Sequence, residues 1–259
     1  MSNEFSLSKR NGRILEITIN RPEVMNAVHP PASEELAAVF DEFAADPDLW
    51  VAIITGAGDR AFSAGNDLKY QAQGHAMTTP ETGFAGLTSR FDLNKPIIAA
   101  VNGIAMGGGF EIALASDLII ADEKQAVFAL PEPHVGLAAL AGGLHRLPRQ
   151  IGIKQAMGMI LTGRRVTASE GMNMGFVTDI APAGTVMERA REWAQQILEC
   201  APLSVQASKE AIHKGLEYAS LEQAYRGKYP AVATMLKSED LKEGPLAFAQ
   251  KRRPNWKGC

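Results

Sequence analysis

Cysteine and long apolar runs are both scarce in this sequence of 259 residues, and each absence excludes a class of protein. The two cysteines, Cys200 and Cys259, have neither the spacing of a metal site nor the number needed for a disulfide framework. No stretch approaches the ~18 uninterrupted apolar residues of a transmembrane helix. The N-terminal MSNEFSLSKR has no apolar segment of the signal-peptide kind. We therefore expect a cytoplasmic protein with no membrane segment and no bound metal.

An excess of one charge is also absent. The 26 Lys and Arg residues and the 29 Asp and Glu residues leave a formal net charge of −3. Because the two signs are well mixed along the chain, no surface for nucleic acid is predicted. Apolar residues make up 46% of the sequence, so a chain of this length can bury a sizeable core. These features predict an ordinary globular protein.

The most informative stretch runs from Lys95 to Asp122. An apolar run at 96–101 predicts a strand, and after a turn Gly107–Gly109 predict the start of a helix. The first N–H groups of a helix have no partner inside it and carry partial positive charge, so a negatively charged oxygen can bind there. Glu111 lies three residues after Gly108, on the same helix face. The pattern predicts a carboxylate beside an anion site, although the glycines would equally suit close strand-helix packing.

The rest of the chain divides into two regions. Strands and helices alternate as far as about Ile180, which predicts an α/β architecture. After that point only helical patterns follow, at 186–198, 203–216, 221–236 and 247–251. Residues 70–82 have no periodicity and are expected to form a surface loop. We expect a core domain at 1–195 and a helical region at 196–259.

Several motifs, taken together, resemble those of the enoyl-CoA hydratase (crotonase) superfamily. They are INRPEVMNA at 19–27, AFSAGNDL at 61–68, KPIIAAVNGIAMGGGFEIALASD at 95–117, FALPE at 128–132 and the run from LTGRR to MGFV at 161–177. GFAGLTSRFDLNKP and the C-terminal SEDLKEGPLAFAQKRRPNWKG most resemble the carnitinyl-CoA dehydratase branch. The resemblance implies a crotonase-like spiral of β-β-α units with two nearly perpendicular sheets. It also implies C-terminal helices that assemble homotrimers or dimers of trimers.

The resemblance assigns catalytic roles by position in these motifs. The backbone N–H groups of Asn66 and Gly108 would bind the oxygen of a thioester, and Glu111 and Glu132 would flank its α,β double bond. Two preorganised donors stabilise a developing enolate oxygen, and two carboxylates can exchange protons with water and with Cα. The implied enzyme is a lyase that reversibly hydrates an enoyl-CoA.

Coenzyme A would be bound as part of the substrate thioester, with no separate cofactor. The family's contact positions correspond here to Val24, Ala64, Asp67 and Leu68. Arg21, together with Lys251 or Arg252, would meet the phosphates, although an ordinary solvated charge run explains the C-terminal basic residues equally well.

Alternative functions stay open. A Δ3,Δ2-enoyl-CoA isomerase needs only one carboxylate, and a carnitinyl-CoA dehydratase would use the same site on a different acyl group. Some superfamily members bind RNA or hold acyl-CoA without turnover, but the near-neutral charge argues against RNA. Residues 137–141 read Leu-Ala-Ala-Leu-Ala, where the family usually has a proline and often a polar residue. This apolar segment predicts an acyl pocket for an uncharged hydrocarbon.

Overall fold

Two β-sheets form the centre of the protein, whose computed structural model describes residues 4–259. The strands are β1 (Ser6–Asn11), β2 (Ile14–Ile19), β3 (Val51–Gly56), β4 (Ala61–Ser63), β5 (Ile97–Val101), β6 (Ile104–Met106), β7 (Leu118–Asp122), β8 (Val127–Ala129), β9 (Val166–Thr167) and β10 (Asp179–Ala181). The larger sheet has the order β1-β2-β3-β5-β7-β10, and the smaller has the order β4-β6-β8-β9.

The strands alternate between the two sheets along the chain. In each of the pairs β3–β4, β5–β6 and β7–β8, the first strand joins the larger sheet and the second joins the smaller one. Strands β2, β3, β5, β7 and β10 run parallel, as do β4, β6 and β8, while β1 and β9 pair antiparallel at sheet edges. This is the predicted α/β spiral of β-β-α units.

Helices cover the sheets and form the C-terminal part of the chain. They are α1 (Pro30–Ala45), α2 (Leu68–Ala72), α3 (Gly108–Ala115), α4 (Gly143–Gln150), α5 (Ile153–Thr162), α6 (Ala168–Met174), α7 (Val186–Leu198), α8 (Pro202–Gly215), α9 (Leu221–Tyr225), α10 (Pro230–Met235) and α11 (Asp240–Ala249). Short 3-10 helices lie at Pro22–Val24, Phe84–Gly86 and Glu132–Val135. Among residues 4–259, no helix combines the length and apolar content needed to cross a bilayer.

Two apolar clusters lie on opposite faces of the larger sheet. The main cluster contains Phe40 of α1, Phe62 of β4 and Phe110 of α3, all fully buried. The second cluster lies beneath α7, whose Ala190 and Ala194 are fully buried because their small side chains let the helix lie close to the sheet. The main cluster therefore holds α3 and its glycine-rich start between the two sheets.

Several details of the predicted secondary structure are wrong. The Lys95–Asp122 stretch contains an additional strand, β6, between the turn and α3. The single helix predicted at 221–236 is two short helices, because Pro230 lacks a backbone N–H and starts a new helix as its first residue. The last helix spans Asp240–Ala249 rather than 247–251. The domain boundary at about residue 195 stays a prediction, and it falls inside α7.

Candidate active site

The glycine run brings the start of α3 into contact with β4 and the turn that follows it. A methyl group on Gly109 would collide with the carbonyl oxygen of Ser63 at the end of β4. Gly65 has a φ of +85°, and a methyl group there would lie 2.7 Å from the Gly108 nitrogen. Only glycine permits this approach of two backbones. The turn at Gly65 and the helix start at Gly108 therefore form one compact unit.

The two N–H groups predicted to bind the thioester oxygen are both free. Val28 pairs with the residues on either side of Asn66, donating its N–H to Gly65 (2.7 Å) and accepting from Asp67 (3.1 Å). The Asn66 N–H consequently points away from Val28, because alternate groups of an extended chain face opposite sides. Within residues 4–259, neither Asn66 N–H nor Gly108 N–H donates to a protein acceptor. Both are available to a ligand oxygen.

Glu111 lies in the first turn of α3 with only 3% of its surface exposed. Its Oε1 accepts a hydrogen bond of 2.8 Å from the Gly143 N–H at the start of α4. The pKa of Glu111 is raised to about 7, mainly by burial and also by the negative charge of Glu132, while the Gly143 and Ala141 amides and Arg146 act in the opposite direction. A carboxyl with this pKa can both give and take a proton near neutral pH.

Glu132 reaches the same helix start from the other side. It follows β8 and opens the 3-10 helix Glu132–Val135, where Pro131 and Pro133 stiffen the chain on either side. A methyl group on Gly107 would lie 2.9 Å from Glu132 Oε1, so the carboxylate lies against the backbone that leads into α3. Its Oε2 is buried and, within the described part of the chain, has no hydrogen-bond partner. Burial raises the pKa of Glu132 as well.

The residues predicted to contact coenzyme A lie together at one edge of this site. Ala64 donates its N–H to the carbonyl of Met25 (2.9 Å), which places it beside Val24. Leu68, at the start of α2, is 44% exposed. The Asp67 carboxylate accepts from the Tyr70 N–H (3.1 Å) and caps α2, while the Asp67 backbone donates to Val28 and accepts from Gln71, so Asp67 is held by internal hydrogen bonds. Their contact with coenzyme A stays a prediction.

The basic side chains expected at the phosphates differ in whether they already have partners within the protein. Arg21 Nη1 forms an ion pair of 2.9 Å with Asp67, and both side chains are largely buried. Arg252 forms two hydrogen bonds to Glu243, of 2.6 Å and 2.8 Å. Lys251 is exposed at the end of α11. Arg21 and Arg252 therefore already hold internal partners, while Lys251 is exposed to solvent.

Two further side chains of this site, Phe84 and Arg146, are not predicted from the sequence. The ring of Phe84 lies directly on Gly108, with a methyl group on that glycine placed 2.5 Å from Phe84 Cε1. Arg146 of α4 contributes a positive charge near Glu111. Neither residue belongs to a motif with obvious chemistry, and the only signal for Arg146 was the Gly142-Gly143 pair that precedes it. No group of three His, Cys, Asp or Glu side chains among residues 4–259 is arranged to hold a metal.

The family model for enoyl-CoA hydratase/isomerase matches residues 9–259 of this chain. The chain belongs to this family. It is 47% identical over 264 residues to a carnitinyl-CoA dehydratase from Proteus mirabilis (strain HI4320), with 100% of both chains covered. The implied enzyme class is confirmed, because relatives are named carnitinyl-CoA dehydratase and enoyl-CoA hydratase, and both activities are those of lyases.

Solved structures of the family have the same fold. An enoyl-CoA hydratase from Mycobacterium tuberculosis H37Rv superposes with a TM-score of 0.92 at 40% identity, covering 98% of this chain and 99% of that one. A carnitinyl-CoA hydratase from Mycobacterium avium gives a TM-score of 0.79 at 44% identity, with 100% of both chains covered. The predicted crotonase-like architecture is confirmed.

Proposed function

We propose that this enzyme reversibly adds water across the α,β double bond of an enoyl-CoA thioester. Asn66 and Gly108 are proposed to bind the thioester oxygen through their N–H groups, and Glu111 and Glu132 to share the proton transfers. The observation that carries the proposal is the arrangement around the start of α3. The buried Glu111 carboxylate of α3 and the half-buried Glu132 carboxylate after β8 approach it, and two backbone donors are free beside it.

The proposed reaction uses each of these groups once. An ionised carboxylate takes a proton from water as the water oxygen bonds to Cβ, and the electron pair of the double bond moves toward the thioester oxygen. The N–H groups of Asn66 and Gly108 stabilise the resulting enolate, each contributing about 3 to 4 kcal/mol. The enolate then collapses as Cα takes a proton from a protonated carboxyl. Dehydration follows the same steps in reverse.

The electrostatics of the pair support this division of roles. Burial raises the pKa of both Glu111 and Glu132, and the two negative charges oppose one another. Near neutral pH, therefore, the pair with one proton and the pair with two ionised carboxylates are both populated. The pair with one proton provides one base and one acid. Water addition requires both, whereas a one-base isomerisation does not.

Coenzyme A is proposed to approach along the edge formed by Val24, Ala64, Asp67 and Leu68. The exposed Leu68 side chain offers apolar contact at this edge. This path supports a thioester carbonyl at Asn66, which lies between Ala64 and Leu68 in the chain.

The acyl group is proposed to be uncharged. Ala139, with 2% exposure, lies beside Glu111 at the Gly143 turn, whereas Leu137 and Leu140 are 42% and 81% exposed. A trimethylammonium group needs carboxylates or aromatic faces to offset its lost hydration, and Ala139 provides neither. The positive charge of Arg146, near Glu111, would oppose a cation further. The names of the carnitinyl-CoA relatives favour a charged acyl group instead, and kinetics with both kinds of substrate distinguish the two.

Side-by-side kinetics with crotonyl-CoA and crotonobetainyl-CoA test the proposal, followed through the absorbance of the enoyl thioester. We expect hydration of crotonyl-CoA with the higher kcat/KM. A preference for the betaine would keep the hydratase chemistry and overturn the uncharged pocket. Double-bond migration without hydration would instead identify an isomerase, and binding without turnover of any thioester would contradict the proposed reaction.

A further inference from the structure

Residues 83–89, here called the bridging segment, lie against the site and have a constrained backbone. Ala85 is fully buried with a φ of +54°, a conformation that non-glycine residues rarely adopt. A methyl group on Gly86 would collide with the backbone of Ala37 in α1. Within the segment, the Phe84 N–H donates to the side-chain oxygen of Thr88 (2.9 Å). This conformation presses the Phe84 ring onto Gly108.

Arg146 joins the bridging segment to α4. Its Nη2 donates to the carbonyl of Thr88 at 2.8 Å, across 58 residues of sequence. Its Nη1 lies against Gly142, where a methyl group would collide with it. The next residue, Gly143, donates the hydrogen bond that holds Glu111. One side chain thus links the segment that covers Gly108 to the turn that holds Glu111.

No ion pair offsets the partial burial of the Arg146 guanidinium in the described part of the chain. Within residues 4–259 no carboxylate lies within ion-pair distance of its guanidinium, although the side chain is half-buried. Removing a guanidinium from water costs free energy unless hydrogen bonds or charges offset it. The charge that offsets it is that of Glu111, which interacts with Arg146 electrostatically.

We infer that Arg146 is a positioning residue of the active site. Through its contacts with Thr88 and the Gly142-Gly143 turn, it fixes the Glu111 carboxylate relative to the Phe84 ring that covers Gly108. This inference rests on the proposed hydratase function for its kinetic consequences. Arg146 itself contacts Thr88 and Gly142. Its effect is transmitted through two hydrogen-bonded turns.

The charged groups that face Glu111 define the pH test. These are Glu132 from the end of β8 and Arg146 from α4, which shift the pKa of Glu111 in opposite directions. In Arg146→Met the opposing positive charge is lost, so the ionised base forms only at higher pH. We expect the acidic limb of the pH-rate profile to move up by about one unit. We also expect kcat to fall about 10²-fold, because small displacements of catalytic groups are costly.

Matched variants separate positioning from general damage. Arg146→Lys keeps the positive charge but lacks the planar guanidinium with its several donors. The acidic limb of the pH-rate profile should therefore return to its wild-type position, while kcat stays well below that of the wild type. Arg149→Met removes an exposed arginine from the same helix, where Nη1 bonds only its own helix at His145, and should leave both unchanged. If Arg146→Met does not fold, the Lys variant decides: wild-type kcat there overturns the inference.

A second readout does not depend on turnover. The Glu111 carboxyl can be followed by NMR in protein labelled with ¹³C at glutamate, with the signal assigned by its loss in Glu111→Gln. An upward shift of its pKa in Arg146→Met, absent in Arg149→Met, supports the inference even if the wild type hydrates no enoyl-CoA and the proposed function fails. A folded Arg146→Met protein with unchanged Glu111 pKa and unchanged pH profile overturns the inference.

Discussion

Glu111 combines near-complete burial with a carboxyl group, and this combination has a cost in stability. Its pKa is raised from 4.5 in the unfolded chain to about 7 in the folded protein, mainly by burial. Because the folded state holds the proton more tightly, the free energy of unfolding falls as pH rises from about 4.5 to about 7. The loss above that range is about 3 kcal/mol. Glu111 is therefore destabilising at neutral pH.

Glu111→Gln should relieve this cost, because Gln keeps the shape and can still accept from the Gly143 N–H. We expect the variant to be more stable than the wild type by about 2 to 3 kcal/mol at about pH 8 and by much less at about pH 5. Urea unfolding at the two pH values measures this. Equal effects of the substitution at both would show that the Glu111 pKa is not raised.

The sequence identifies some residues of the candidate site but not the partners of others. Glu111 and Glu132 stand in local motifs, so the order and spacing of those motifs were sufficient to single them out. Arg146 and Arg21 are different, because the partner of a long cation is decided by the tertiary fold. Arg146 bonds a carbonyl 58 residues away, and Arg21 pairs with a carboxylate 46 residues away rather than standing free for a phosphate.

At the scale of elements, the start of α3 is the most tightly constrained junction. Gly109 has no room for a side chain against Ser63 of β4, whereas Gly158 in the interior of α5 has nothing within 4 Å of an added methyl group. We expect Gly109→Ala to destabilise the protein by about 1 to 3 kcal/mol, because the helix must move off β4. It should also lower hydration activity by displacing Gly108.

Gly158→Ala is the matched control for this substitution. Alanine loses less backbone entropy than glycine in a helix, so this variant should gain about 0.5 to 1 kcal/mol and keep full activity. Thermal unfolding and turnover of both variants check the pair. A Gly109→Ala enzyme as stable and active as wild type would mean that the close packing of α3 on β4 is not required.

The prediction of secondary structure is wrong where an element is too short to show a periodic pattern. Strand β6 has only three residues and follows a turn, so periodicity could not separate it from the turn. It nevertheless joins the smaller sheet beside β8 and thereby places Gly107 near Glu132. In contrast, the continuous apolar runs of β3 and β5 and the helical spacing of the apolar residues in α7 are sufficient to locate these elements from the sequence.

At the scale of the whole molecule, the C-terminal helices expose large apolar side chains. Four of them, Leu216, Leu221, Tyr225 and Phe248, are between 77% and 89% exposed in the single chain. Exposed apolar groups concentrated in one region are typical of an interface. We predict that the chain forms a homotrimer or a dimer of trimers through residues 196–259. Light scattering at micromolar concentration should give a multiple of three chains, and a stable monomer would contradict the prediction.

In the proposed mechanism, two carboxylates share the proton transfers of water addition. The decisive measurement is the hydration rate of crotonyl-CoA by Glu132→Gln, with Glu111→Gln measured alongside and coenzyme A binding as the control. Each substitution keeps the shape of the side chain and removes a proton acceptor, so kcat should fall about 10²- to 10⁴-fold while coenzyme A still binds. A Glu132→Gln enzyme with near-wild-type turnover would remove Glu132 from the mechanism and leave a one-base site.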